Sequence, residues 1–156
     1  MSQVDLKISV SKQILELFQN KLLKNTYPVS TSKWGLGSEP GSYKTPLGKH
    51  RIAQKIGAGL PWGAVLKSRE WTQTVWSPED PYQLEEDLIL SRILWLEGME
   101  AHNQSTFARY IYIHGTNQEY LLGSPMSQGC IRMKNDEVIA LFDQVSVGTI
   151  VDISES

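Results

Sequence analysis

One cysteine, Cys130, closes the stretch HGTNQEYLLGSPMSQGC, and a histidine, His114, opens it sixteen positions earlier. A thiol with an ordinary pKa of about 8.5 is only a few per cent thiolate at neutral pH, so a catalytic cysteine needs an imidazole or another positive centre beside it. His114 meets that need by type. Arg132 follows the cysteine by two residues, which puts both side chains on one side of an extended chain. A fixed positive charge there would lower the thiol's pKa or hold a substrate carboxylate. Each residue also has a quieter reading: a lone cysteine as a small buried hydrophobe, a lone histidine as a satisfied core residue, a lone arginine as a surface charge. Metal binding fits poorly, because His50, His102 and His114 are scattered and neither CxxC nor HExxH occurs.

Such side chains need rigid elements to hold them. RYIYIHG and LILSRILWLEG are apolar, rich in β-branched and aromatic residues, and stop at glycine. They predict two central strands, one of them ending at His114. After the cysteine, Val138, Leu141, Phe142 and Val145 recur at helical spacing in NDEVIALFDQV; Asn135 or Asp136 is placed to cap this helix, and Asp136 and Glu137 suit the positive end of its dipole. Gly148 leads into a last strand, TIVDI. At the other end of the chain Val4, Leu6, Ile8 and Val10 alternate, Ile14 and Leu15 to Phe18 resume after Ser11 and Lys12, and KLLKNTYPVST adds a third run, which together predict a meander.

Between these lies KWGLGSEPGSYKTPLGKHRI, whose Gly35, Gly37, Gly41 and Gly48 stand beside Pro40 and Pro46 and predict an ordered irregular loop. It lacks the GK[ST] ending and the helix pattern of a phosphate loop. From Gly57 to Pro81 the chain reads as loops around one short strand at QTVWS, serving either as a lid over a cleft or as aromatic anchors packed beneath it. The whole predicts one mainly β domain over residues 1–156, with one helix just after the cysteine.

Composition narrows the partners. At 156 residues, with 40% hydrophobic and 21% charged residues, the chain can bury a core without disulfides or a structural metal. A net charge of -2 gives no basic footprint for nucleic acid or anionic lipid, which leaves a small-molecule or peptide ligand. The first residues carry Asp5, Lys7, Lys12 and Glu16 and so lack the apolar run of a secretory signal, and no run elsewhere is long enough to cross a bilayer. The expected location is cytoplasmic, or periplasmic if a signal has been removed.

At the level of motifs, RYIYIHGT followed by GSPMSQGCIRMKNDEVIALFDQVSVGTIVDI closely resembles the signature of the YkuD-type L,D-transpeptidase family, in which a strand ending in His-Gly is followed by Ser-His-Gly-Cys and an arginine. PGSYKTPLGKHRI and ILWLEGME also resemble that family, so the likeness runs from about Ser32 to Ile153. The resemblance implies a β-sandwich-like catalytic domain that uses no cofactor, with Cys130 as nucleophile and His114 as the base that activates it. It implies that the Gly115 carbonyl orients the imidazole. The N–H groups around Gly129 and Cys130 would stabilise a tetrahedral oxyanion. Arg132 matches the family's arginine and Ser127 the small hydroxyl residue that opens the motif. Gln128 departs from the pattern, standing where the family usually has histidine, and cannot carry a charge near neutral pH.

The substrate implied is the tetrapeptide stem of peptidoglycan, attacked at its third residue with release of D-Ala through a thioester. Hydrolysis of that thioester makes an L,D-carboxypeptidase trimming soluble muropeptides in recycling, the reading expected from the amino-terminal sequence. Transfer to an amine makes an exported L,D-transpeptidase that cross-links the wall. A third reading is a stem-binding module made inactive by Gln128. A carbapenem is the covalent inhibitor the resemblance suggests, and a thiolate paired with imidazolium would alkylate faster at low pH.

Overall fold

A computed structural model describes residues 3–79 and 86–156. Its described residues form ten strands: β1 (Val4–Ser9), β2 (Ile14–Gln19), β3 (Leu22–Pro28), β4 (Gly48–Ile56), β5 (Ala64–Lys67), β6 (Glu70–Val75), β7 (Ile89–Gly98), β8 (Tyr112–Gly115), β9 (Ile131–Met133) and β10 (Ile150–Ser154). One α-helix, α1 (Asn135–Gln144), lies between β9 and β10, with short 3-10 turns at residues 101–103 and 119–121.

The opening alternation does form the meander β1–β2–β3, and the last strand inserts in parallel beside the first, Leu6 opposite Val151 and Ile8 opposite Ile153. The sheet continues through β4 to β7 and then divides. β5 joins the start of β7 (Val65 opposite Leu90), and β8 pairs from that same residue to the strand's middle (Leu90 opposite Gly115, Ile93 opposite His114, Trp95 opposite Tyr112). The β7–β8 register shifts at a bulge between Leu90 and Ile93, which bends the strand locally.

Period-two alternation then assigns the faces. Leu94 and Leu96 of β7, Ile113 of β8, and Ile131 and Met133 of β9 turn inward to meet Leu6, Ile8, Leu15 and Leu17 of the meander and Val138, Leu141 and Phe142 of α1. Ile93 and Trp95 turn the other way, into a smaller cluster with Leu66, Tyr112 and Cys130. The mainly β, sandwich-like domain with a helix after the cysteine is thus the architecture observed.

Several local expectations change. KHRI belongs to β4, so the glycine-rich loop ends at Leu47; QTVWS is part of a hairpin whose first strand, β5, is only four residues long and carried no readable pattern. The end of the expected lid segment, Asp80 and Pro81, lies outside the described residues. RYIYIHG becomes strand only from Tyr112, since Tyr110 takes a positive φ of 59° and closes a turn. Neither Asn135 nor Asp136 caps α1: Lys134 is at the cap without a side-chain bond, and the Glu119 carboxylate, arriving from the preceding 3-10 turn, accepts from the Asn135 N–H at 2.8 Å. A carboxylate from elsewhere in the fold satisfies an orphan donor at the positive end of the helix.

Candidate active site

The site is built where β8 and β9 lie side by side in parallel. Their register sets Ile113 opposite Ile131 and His114 opposite Arg132, so the residues of even number, Tyr112, His114, Cys130 and Arg132, share the face turned away from the main core. Cys130 stands just before β9, level with Tyr112 and diagonal to His114. With strands about 4.8 Å apart and alternate residues about 6.6 Å apart, that diagonal is roughly 8 Å between Cα atoms, within joint reach of an imidazole and a thiol.

Cys130 Sγ accepts the Tyr112 N–H at 3.3 Å and turns its own hydrogen toward the Tyr110 carbonyl at 3.4 Å. It borders an open cavity of about 350 Å³ lined by Ser68, Arg69, Ile89, Tyr110 and Tyr112. Burial pushes its pKa up to about 12, with the Tyr112 N–H, Arg109 and Arg132 working against the rise and Asp87 adding to it. Solvent in the adjoining cavity limits that rise, but its direction is set by desolvation of the charged form.

His114 is only 2% exposed. Its Nδ1 lies 2.6 Å from the Gly115 carbonyl oxygen, which can only accept, so Nδ1 carries the hydrogen and Nε2 keeps its lone pair. Burial lowers the imidazole's pKa; the Gly115 bond and Asp87 oppose this, and Arg132 reinforces it. Neutral thiol and neutral imidazole are therefore the resting forms, and the expected thiolate–imidazolium pair is corrected. The proton must leave sulfur as the new bond forms.

Gly115 has a steric role as well. A Cβ there would lie 2.5 Å from Asn135 Oδ1 and 2.7 Å from the Leu90 carbonyl. Asn135, fully buried, accepts from Ser91 Oγ at 2.6 Å and donates to the Thr116 carbonyl at 2.9 Å, tying the start of α1 to the end of β8 directly behind the histidine.

The turn carrying the cysteine is equally constrained. Ser127, wholly buried, donates through Oγ to the Cys130 carbonyl at 2.6 Å and accepts the Gly129 N–H at 3.2 Å. Thr45 Oγ1 donates to the Gly129 carbonyl at 3.0 Å, and Gly129 takes φ +120°, a conformation that side chains disfavour. Ser127 thus shapes the turn and does not line the cavity beside the sulfur. The Gly129 N–H is engaged with Ser127, leaving the Cys130 N–H as the expected pair's other oxyanion donor.

One further expectation changes here. Arg132 offers no fork to a substrate: it is 1% exposed, with Nη1 donating to Asp87 at 3.0 Å and to Gln118 at 2.7 Å, and Nη2 3.5 Å from Ser30 Oγ. It ties the nucleophile strand to the segment before β7. Gln128 is exposed and lines a second cavity, of about 250 Å³, with Tyr43, Arg109 and Ile111.

Sequence reasoning missed Tyr112, Arg69, Arg109 and Asp87. The alternation in RYIYIHG puts Tyr112 on the face of His114 and was a usable signal; the others reach the site only through tertiary contact. Among the described residues no group of three or more His, Cys, Asp or Glu side chains is placed to hold a metal ion, and no helix is long and apolar enough to cross a membrane.

A cavity-lining thiol on the same sheet face as a buried imidazole, whose Nδ1 is locked and whose Nε2 keeps its lone pair, is the equipment of a cysteine acyl-transfer site. The family model of the L,D-transpeptidase catalytic domain (YkuD) matches residues 3–153, and the chain belongs to that family. The protein named L,D-transpeptidase YkuD of Bacillus subtilis (strain 168) is 50% identical over 148 residues, covering 94% of this chain and 63% of that one. YqjB of the same strain, also named as an L,D-transpeptidase, is 50% identical over 52 residues, 33% of this chain and 30% of that one.

Among solved structures, the LD transpeptidase LdtMt1 in complex with imipenem superposes with a TM-score of 0.60 at 20% identity, over 98% of this chain and 59% of that chain. L,D-transpeptidase 3 from Mycobacterium tuberculosis in complex with a faropenem-derived adduct gives 0.65 at 15% identity, over 99% and 61%. These structures share the fold. The chain spans less than two thirds of the length of each of these relatives.

Proposed function

We propose that this domain is a cysteine L,D-carboxypeptidase that removes the terminal D-Ala from peptidoglycan tetrapeptide stems, acting on soluble muropeptides in the cytoplasm. The observation that carries the acyl-transfer step is the placement of Cys130 Sγ, open to a cavity, on the same sheet face as a His114 ring held through Nδ1 by the Gly115 carbonyl. Sγ attacks the carbonyl carbon of the third residue while its proton passes to His114 Nε2. The C–N bond breaks, Nε2 returns the proton to the leaving D-Ala nitrogen, and a thioester remains. Water then attacks the thioester, giving a proton to Nε2; the C–S bond breaks and the proton returns to sulfur.

Water is favoured over an amine by the charge around the sulfur. Arg69 lines the cavity beside the sulfur and Arg109 the second cavity, and among the described residues no carboxylate lines either. An acceptor amine arrives as an ammonium ion and meets like charge at these guanidinium groups, offset in part by Asp87 and Glu39, whereas water meets no such charge.

Mass spectrometry of a disaccharide-tetrapeptide incubated with the protein, with and without an amine acceptor, tests the reading. Tripeptide and free D-Ala are expected from the wild type, and neither from Cys130→Ala or His114→Ala. Cross-linked dimers as the main product would replace hydrolysis with transpeptidation, and turnover by the Cys130→Ala variant would remove the nucleophile.

A further inference from the structure

The bulge in β7 holds a buried serine in a backbone conformation that serine disfavours. Ser91 takes a positive φ of 71° and is wholly buried, at a position where glycine would be free of strain. Strain of that kind persists only where the surroundings hold it, and it gathers where a side chain is used. The Ser91 hydroxyl is used twice. Its Oγ accepts the Gly63 N–H at 2.9 Å, just ahead of β5, and donates to Asn135 Oδ1 at 2.6 Å.

The direction of each bond around the Asn135 side chain is fixed. Its Nδ2 lies 2.9 Å from the Thr116 carbonyl oxygen and 2.9 Å from a Glu119 carboxylate oxygen; both oxygens only accept, so Nδ2 faces them and Oδ1 faces Ser91. Oδ1 also fills the space a side chain at Gly115 would need, 2.5 Å from the Cβ position, and the Leu90 carbonyl oxygen lies 2.7 Å from the same point. Asn135 therefore packs against the Gly115 α-carbon and holds the carbonyl of the next residue. Between those two fixed points along the chain is the Gly115 carbonyl, whose oxygen lies 2.6 Å from His114 Nδ1.

We infer that Ser91 and Asn135 are a pair of positioning residues for the reaction: hydroxyl and amide together hold the peptide that carries the Gly115 carbonyl, and so keep the His114 hydrogen on Nδ1 and Nε2 free to take the proton from sulfur. This rests on the proposed proton transfer from Cys130. Without the hydroxyl, Asn135 Oδ1 and the Gly63 N–H lose the partner they share, and the amide is no longer held in one orientation. The Thr116 carbonyl then loses its donor, and the Gly115 peptide can turn its oxygen away from Nδ1. An imidazole freed in this way also populates the tautomer with its hydrogen on Nε2, which cannot accept the thiol proton there.

Ser91→Gly and Ser91→Ala test this, because both remove the hydroxyl and only the glycine relieves the positive φ. The alanine variant should therefore melt below the glycine variant, yet both should lose on the order of tenfold to a hundredfold in kcat, with KM little changed. Nitrogen NMR of labelled protein, with the His114 ring assigned against His114→Gln, should show Nδ1 protonated and Nε2 bare in the wild type in neutral to alkaline buffer, and a mixture of tautomers in both variants. Activity that instead follows the melting temperature, recovering in the glycine variant, is what a merely structural serine predicts and overturns the inference. A tautomer left unchanged in both variants overturns it too. The spectrum needs no turnover, which keeps the two readings apart. A tautomer that shifts in the variants, together with no turnover by the wild type, refutes the acyl-transfer reading and leaves the positioning pair; wild-type turnover that neither substitution disturbs refutes the pair and leaves acyl transfer.

Discussion

Iodoacetamide labelling of Cys130 as a function of pH reads the state of the dyad directly. Moving a thiol from 9.0 to about 12 leaves on the order of a thousandfold less thiolate at neutral pH, a ceiling that solvent in the cavity lowers. The lowered pKa of His114 means that no imidazolium offsets this near neutrality. Labelling, followed by intact mass, should therefore be slower than for a free thiol, and should rise steadily as the buffer becomes alkaline.

The same two shifts fix how stability changes with pH. The buried thiol resists ionisation, so stability falls as pH rises above about 9, where the unfolded thiol ionises and the folded one does not. His114 and His50, both lowered by burial, resist protonation, so stability also falls as pH drops below about 6.5. The melting temperature should be highest between those limits. A fast labelling plateau extending into acid, lost in His114→Ala, would refute the reasoning, because only a resting thiolate–imidazolium pair produces it.

Gly115→Ala should cost about 1–3 kcal/mol, since the new methyl must displace Asn135 Oδ1 and the Leu90 carbonyl, and chemical denaturation measures it. Asp87→Asn removes the anionic partner of buried Arg132 and should cost about 2 kcal/mol, less than the roughly 3–5 kcal/mol of a fully buried pair because the Asp87 side chain is 36% exposed. Unchanged denaturation would mean that the Gln118 and Ser30 contacts hold Arg132 alone. A carbapenem should acylate Cys130 and raise the intact mass by one adduct, with no adduct on Cys130→Ala; an unchanged wild-type mass would count against an accessible nucleophile.

Much of the frame was legible because alternation is a local signal. The meander, β7, β10 and α1 each follow from the spacing of a few apolar residues, and the parity of β8 is readable in Ile111, Ile113 and His114. β4, β5 and β9 were not, because strands this short or this half-exposed are made by their partners. β9 has three residues and exists because β8 lies alongside it. The cap of α1 also escaped, since Glu119 reaches it from another element.

The chain's own order of residues determined which groups are available for chemistry: one thiol, a His-Gly at a strand end, and an arginine on the thiol's side of the chain. Chain folding decided what those groups do. Parallel pairing of β8 and β9 sets sulfur and imidazole on one face, burial makes both neutral at rest, and the Arg132 charge is spent on Asp87 and Gln118 instead of on a ligand. A hairpin from some sixty residues upstream brings Arg69 to the cavity wall. Residue types are fixed by covalent order, whereas desolvation and the meeting of distant side chains depend on which surfaces the fold closes together.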